Sequence, residues 1–208
     1  DYPNVQEAKQ TSDKNPSDAA LKSRYEESKA AVATAMAMIE ATVDAAPQKS
    51  ATVYVEAADA LIKYKNKNLE RAKKLLDKAL SIEPKNIKAN ILYGDVYTEL
   101  NNGSLAAEFY NKALDLNRNS ARAIVSKGLL YKRSTNYEGA AEEFSNAISI
   151  DPNYAPAYRE LGETDFKLGK LTKAKESYKK YLELSKNNCG ARIRYASFLY
   201  LGQDYNSA

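Results

Sequence analysis

Alanine recurs with a period of 34 residues through most of this 208-residue chain. A fixed period of this size is typical of repeated supersecondary units that stack on one another, because a single closed core imposes no such spacing. The alanines of this series are Ala72, Ala106, Ala140, Ala174 and Ala208. Three further columns share the period: a glycine (Gly94, Gly128, Gly162), an aromatic residue (Tyr110, Phe144, Tyr178) and a second alanine (Ala79, Ala113, Ala147).

The spacing within one period indicates helices that pack closely. Ala106, Tyr110 and Ala113 follow one another at i, i+4 and i+7, so they share one face of a helix. Small residues beside a ring allow a neighbouring helix to approach while the ring fills the space between them. Glycine inside a helix costs about 1 kcal/mol relative to alanine, so its return at one period indicates a packing requirement.

The order Gly-x2-Tyr, then Ala-x3-aromatic-x2-Ala, then Pro resembles the tetratricopeptide repeat (TPR), a helix-turn-helix unit, from about Val53 to the end of the chain. The resemblance implies an all-α fold, a right-handed α-solenoid of antiparallel helix pairs, preceded by an extra helical segment. Some positions depart from the family pattern. These are Ala60 and Lys63 in the first repeat, Asp165 and Tyr181 at the tyrosine and second-alanine columns of the fourth, and Arg118 and Lys186 in place of proline.

The period divides the chain into segments. We expect a lead-in at 1–16, an N-terminal helix or helices at 17–50 that cap the array, and the TPR array at 51–208. Within the array we expect four full repeats near 53–86, 87–120, 121–154 and 155–188, and a truncated fifth at 189–208. The predicted helices of the array run over 51–65, 69–82, 88–100, 105–116, 121–133, 137–150, 155–168, 171–184 and 191–201. The half repeat predicts a fragment of a longer protein, with one side of its last helix (Tyr195, Phe198, Leu199) uncovered.

The composition favours a binding module over an enzyme. Histidine is absent, no glycine-rich phosphate loop occurs, and the single cysteine, Cys189, has no partner for an internal disulfide. We therefore expect no catalytic residues, no cofactor and no metal. A net charge of +4 is too small to indicate nucleic-acid binding, and no apolar run is long enough to span a membrane.

The surface predicted to bind a partner is the outward face of each first helix, opposite its core positions. In TPR proteins this face lines a concave groove, and the resemblance implies the same role here. The positions concerned are Lys88, Ile91, Asp95, Thr98, Glu99, Arg122, Val125, Leu129, Lys132, Arg133, Arg159, Glu163, Phe166 and Lys167, with Ile193, Ser197 and Tyr200 added by the fifth repeat.

The mixture of cations and apolar residues on this face suits a peptide or protein segment with acidic and apolar side chains, for which Leu129 and Phe166 are the candidate anchors. A solvated charged face with no partner is the alternative. Co-chaperones of the family grip a terminal carboxylate with Lys, Asn and Arg. That set is missing here, because the matching positions hold Ile91, Asp95, Ser126, Pro156 and Glu160.

Two functions from different classes fit the sequence. The stretches 178–185 and 191–199 resemble multi-repeat proteins that Bacteroidetes-type bacteria export, which implies an envelope-assembly scaffold in the periplasm or at the outer membrane. The alternative is the regulatory or targeting array of a larger enzyme, in the cytoplasm, whose catalytic domain lies outside this chain. The sequence leaves the oligomeric state open.

Overall fold

The computed structural model describes residues 19–44, 50–63, 68–185 and 189–201, and within these ranges the chain is helical apart from short turns and contains no strand. The helices are α1 (Ala19–Asp44), α2 (Ala51–Lys63), α3 (Leu69–Ile82), α4 (Ile87–Glu99), α5 (Gly103–Leu116), α6 (Ala121–Arg133), α7 (Tyr137–Ile150), α8 (Ala155–Lys167), α9 (Leu171–Leu184) and α10 (Cys189–Leu201). The ends of α2 to α10 agree with the predicted ones within about two residues, except that the predicted end of α2 at residue 65 lies outside the described residues. None of these helices is both long and apolar enough to cross a lipid bilayer.

The even-numbered helices from α2 to α10 are the first helices of the predicted repeats, and the odd-numbered helices from α3 to α9 are the second helices. The predicted lead-in at 1–16 and the last alanine of the series, Ala208, lie outside the described residues. So does the side chain of Phe198, one of the residues expected on the uncovered side of α10. The other two residues of that side contradict the expectation, since Leu199 is 1% exposed and Tyr195 packs against Tyr178 and Tyr181.

The chain forms two compact units, Asp1–Val96 and Tyr97–Ala208. In the first unit, α2 packs against both α1 and α3. Ala58, Leu61, Ala72 and Leu76 are fully buried in this unit. The hydroxyl of Tyr93, on α4, donates a hydrogen bond to the carboxylate of Asp77 on α3.

In the second unit each described helix packs on the next, from α5 to α10. The pairs α6–α7 and α8–α9 have the most extensive contacts, as expected for the two helices of one repeat. Ala140, Phe144, Ala147 and Ala157 are fully buried and form one apolar core. The predicted all-α class, built of consecutive helix pairs, is therefore confirmed.

The repeated glycines of the second unit lie where the aromatic column meets the preceding helix. A Cβ built on Gly128 would stand 2.6 Å from the ring of Phe144, and one on Gly162 would stand 2.5 Å from the ring of Tyr178. Tyr181, which replaces the second alanine of the fourth repeat, packs edge-on against Tyr178 with ring centroids 5.8 Å apart. An aromatic pair thus fills the space that a small residue leaves in the other repeats.

Candidate functional site

All predicted groove positions lie on first helices, namely α4, α6, α8 and, for the three positions of the fifth repeat, α10. In the first unit, Lys88 binds the α2 carboxylates: its Nζ lies 2.5 Å from Glu56 Oε1 and 3.5 Å from Asp59 Oδ2. Asp95 is half-buried. Ile91 is only 2% exposed. Ile91 therefore belongs to the core and not to a partner-binding surface.

The second unit contains a charged network that joins two first helices. Lys132 Nζ, on α6, lies 2.8 Å from Glu160 Oε2 and 2.9 Å from Glu163 Oε2, both on α8. Arg159 donates two hydrogen bonds to Glu160 Oε1, at 2.9 and 2.5 Å. The hydroxyl of Tyr178, on α9, donates to Glu163 Oε1 at 3.0 Å. Two cations of the predicted groove are therefore already neutralised by carboxylates of the same chain.

The pKa values of these groups shift in the directions that the pairing requires. Burial favours the neutral forms of Lys132 and Glu163, but the hydrogen bonds and charges outweigh it, so the pKa of Lys132 is raised and that of Glu163 is lowered. Burial also raises the pKa of Tyr178, and the adjacent Glu163 carboxylate raises it further. These shifts keep Lys132 and Glu163 charged and Tyr178 protonated at neutral pH.

The apolar positions of the predicted groove divide into core and surface. Val125 is 5% exposed and belongs to the core, whereas Leu129 is 36% exposed. Phe166 is partly buried, because it packs against Tyr178 and Tyr181. An anchoring role for Phe166 would therefore use only the part of its ring that this packing leaves accessible.

The remaining polar positions are spread along the same helices. Arg133 and Lys167 are exposed, and Arg133 Nη2 donates to the Asn101 side chain at 2.7 Å. Thr98 Oγ1 lies 3.1 Å from the Tyr110 hydroxyl, so it is engaged within its own repeat. Glu99 and Arg122 are half-buried.

An open apolar cleft lies on α10. Ile193, Ala196, Ser197 and Tyr200 line a volume of about 560 Å³. Ile193 is 65% exposed and Tyr200 is 64% exposed. Three of these four residues are the groove positions that the sequence predicts for the fifth repeat. An apolar patch beside charged first helices has the chemistry to bind an apolar side chain of a partner.

Sequence reasoning missed the network partners Glu160 and Tyr178. A signal for Glu160 was present, since it precedes Glu163 by three residues and both therefore face the same side of α8. Among the described residues no group of three or more His, Cys, Asp or Glu side chains is arranged to hold a metal ion.

The repeat array matches known protein families. Three tetratricopeptide repeat families match, two described as "Tetratricopeptide repeat" over residues 63–126 and 155–188 and one described as "TPR repeat" over 128–169. A search of curated proteins gave no significant match.

Solved structures similar to this one support the same assignment. The structure titled "Functional Characterization of Pseudomonas Aeruginosa pilF" has a TM-score of 0.66 and 27% sequence identity over 74% of this chain and 70% of that chain. A MamA crystal structure has a TM-score of 0.54 and 21% identity over 81% of this chain and 95% of that chain. The first TPR domain of Spaghetti (RPAP3), bound to the HSP90 peptide SRMEEVD, has a TM-score of 0.53 and 23% identity over 55% of this chain and 94% of that chain.

These structures agree with the predicted α-solenoid class. The family matches extend from residue 63 to residue 188, across the glycine, aromatic and alanine columns and the helix pairs described above. The chain therefore belongs to the tetratricopeptide repeat family.

Proposed function

We propose that this protein is a non-enzymatic interaction module whose second unit binds an extended peptide segment with acidic and apolar side chains. The face concerned is formed by the outward sides of α6, α8 and α10. The observation that carries the proposal is the cleft on α10, where Ile193 and Tyr200 remain exposed at positions that the repeat register assigns to the groove. The family match supports the general class of function, because TPR domains are interaction scaffolds.

Electrostatic interactions link the three helices. Lys132 on α6 pairs with Glu163 on α8, and the charge of Arg194 on α10 helps to lower the pKa of Glu163. Because Lys132 and Arg159 are paired with carboxylates, an acidic partner would meet chiefly the exposed cations Arg133 and Lys167. We expect these rim charges to act mainly on the rate of encounter.

The apolar contact is expected to determine how long the complex lasts. An apolar side chain of the partner placed between Ile193 and Tyr200 would be removed from water, and such buried anchors dominate binding energies. We assign the main anchor to this cleft rather than to Phe166, since Phe166 already packs on Tyr178 and Tyr181.

Selection from a displayed library of random 12-residue peptides tests the proposal. We expect enrichment of peptides that combine Asp or Glu with an apolar residue. The Ile193→Ala/Tyr200→Ala double variant should bind the selected peptides about tenfold more weakly through faster dissociation. The Arg133→Glu/Lys167→Glu double variant should slow association and reduce its salt dependence.

Matched controls lie on the second helix α9. Leu171→Ala and Lys179→Glu alter exposed residues of the same types and should leave binding unchanged. If no peptide is enriched, the module does not recognise short segments. If the selected peptides bind the α10 variant and the wild type equally, the binding site lies elsewhere on the protein.

We further propose that the protein acts as an assembly scaffold in the bacterial cell envelope. The support for this proposal is the sequence resemblance of residues 178–185 and 191–199 to exported multi-repeat proteins. Fractionation of the source cells, followed by immunodetection, tests it, and recovery of the protein only with cytoplasmic markers would reject it.

A further inference from the structure

Two positions of the repeat change from aromatic to polar along the chain. In the second repeat Tyr97 and Phe109 stack, with ring centroids 5.6 Å apart and 20° between the ring planes. Two periods later the same positions hold Asp165 and Ser177. Both side chains line a cleft of about 450 Å³ between α7, α8 and α9. The fourth repeat therefore has a cleft lined by polar side chains at the positions where the second repeat has two stacked rings.

Asp165 is a buried acid whose carboxylate has no hydrogen-bond partner among the described residues. The residue is 4% exposed and lines the cleft. Glu160, on the same helix and 5% exposed, instead receives hydrogen bonds from Lys132 and Arg159. Burial disfavours the charged form of this carboxylate, and a ligand that donates hydrogen bonds to it would stabilise that form.

The walls of the cleft add further negative charge. Glu138 and Glu142 line it from α7, and Glu176 lines it from α9. Lys170 and Lys173, also lining the cleft, are the cations that face these groups. Burial raises the pKa of Asp165, and the charges of Lys170 and Lys173 oppose the rise without cancelling it. With Asp165 ionised, four carboxylates face two ammonium groups, so the cleft favours a cation.

We propose that this cleft binds the guanidinium group of an arginine side chain supplied by a protein partner. A guanidinium is planar, donates two parallel hydrogen bonds to one carboxylate, and loses less hydration than an ammonium when it is buried. Asp165 would accept these hydrogen bonds, and the Ser177 hydroxyl lies in the same cleft as a further acceptor. The aliphatic stem of the arginine would pack on Leu161 and Ala141, which complete this part of the wall.

This site is separate from the face proposed above. The residues that line it lie on α7, on α9 and its N-cap Lys170, and on one side of α8, and none of them belongs to the predicted groove set. A partner could therefore contact both surfaces, or two partners could bind independently. The peptide-binding face and the arginine-binding cleft can be tested independently, because the variants that test them share no residue.

The experiment uses the full chain and three capped amino acids as probes: N-acetylarginine amide, N-acetyllysine amide and the uncharged isostere N-acetylcitrulline amide. The carboxyl ¹³C resonance of Asp165 and the amide resonances of the cleft are followed by NMR during titration. We expect a saturable shift with the arginine probe in the millimolar range, and a lowered apparent pKa of Asp165 in the complex. The citrulline probe should produce no saturable shift.

Asp165→Asn keeps the size of the side chain and removes its charge. We therefore expect this variant to bind the arginine probe at least about tenfold more weakly than the wild type does. Asp115→Asn, which changes an exposed acid on α5, is the matched control and should bind like the wild type. Thermal melting of both variants shows that they are folded.

Three outcomes would overturn the proposal. The first is the absence of a saturable shift with arginine up to on the order of 100 mM. The second is equal binding of arginine and citrulline, or of arginine by the wild type and Asp165→Asn. The third is equal binding of lysine and arginine, which would show a general attraction for cations without guanidinium recognition.

Discussion

Gly162 lacks a side chain at the point where the ring of Tyr178 lies against α8. A Cβ at this position would stand 2.5 Å from Tyr178 Cδ2 and 3.2 Å from the backbone oxygen of Ala174. The ring has no free direction in which to move, because it is 2% exposed and its hydroxyl donates to Glu163. Gly162 therefore sets the approach of α8 to α9, and one residue determines the geometry of a helix pair.

At the residue scale, we expect Gly162→Ala to lower the free energy of unfolding by ~1 to 3 kcal/mol, as overpacking of a filled core does. Gly103→Ala is the matched control. Its Cβ would meet only Leu130 Cδ1, at an ordinary contact distance of 3.8 Å, so helix propensity should make it neutral or slightly stabilising. Urea denaturation of the two variants provides the measurement, and equal midpoints would contradict the packing role of Gly162.

The turns that join the two helices of a repeat share one geometry. The backbone has a positive φ at Asn101 (58°), Thr135 (62°) and Gly169 (73°), each one period after the last. The next residue is the N-cap of the second helix, and Asn102 and Asn136 each accept a hydrogen bond from a backbone amide of the first turn. Lys170, at the same position of the fourth repeat, makes no such bond. The turn thus ends one helix and caps the next, except where lysine replaces asparagine.

At the element scale, we expect Asn136→Ala to destabilise the protein by ~1 kcal/mol, because the amide of Gly139 then loses the side-chain oxygen that accepts its hydrogen bond at 3.0 Å. Asn146→Ala changes an exposed asparagine in the interior of the same helix, where alanine is the better helix former, and should be neutral or stabilising. Thermal unfolding followed by circular dichroism compares the two. Similar losses of stability in both variants would show that the cap contributes nothing.

Each of the two compact units has an ion pair that joins successive first helices. Lys88 joins α4 to α2 in one unit, and Lys132 joins α6 to α8 in the other. The Glu160 side chain is 6% exposed and receives both Lys132 and Arg159, so its charge is compensated from two sides. Removing one partner from such a buried pair generally costs more than the intact pair contributes.

At the scale of the whole molecule, stability should fall as the pH rises above about 10. Lys127, Lys132 and Tyr178 have raised pKa values in the folded protein relative to ordinary values of 10.5, 10.5 and 10.0, so they keep protons that the unfolded chain releases. For Lys127 the first cause is its hydrogen bond to Glu143. The stabilisation that these three groups provide is complete below about pH 10 and is lost as the pH rises through their pKa values in the folded protein.

Glu163→Gln should reduce this loss, since the carboxylate is one of the groups that raise the pKa of both Lys132 and Tyr178. The variant should be less stable than the wild type at pH 7, with the difference narrowing between pH 9 and pH 11. Glu108→Gln, which breaks an exposed pair with Lys112, should leave the pH dependence unchanged. Urea titrations at a series of pH values measure the free energy of unfolding. Parallel curves of this free energy against pH for the wild type and Glu163→Gln would contradict the role of the network.

The sequence by itself determined the period, the helix bounds and the need for close packing at the glycine column. These features depend on residues that are close in the chain or one helix apart, and they recur, so each repeat confirms the pattern of the others. The structure then shows that the rings of Phe144 and Tyr178 are what meet Gly128 and Gly162.

Only the tertiary structure decided which outward positions remain available. Val125 shares the pattern of Leu129, yet it is buried while Leu129 is exposed, because burial depends on the helix that packs above each position. The pairing of Lys132 with Glu160 joins side chains 28 residues apart, at a distance set by how two first helices stack. The cleft at Asp165 likewise forms where three helices meet around two short polar side chains. The repeat period alone does not specify how those helices pack, so the sequence does not predict the cleft.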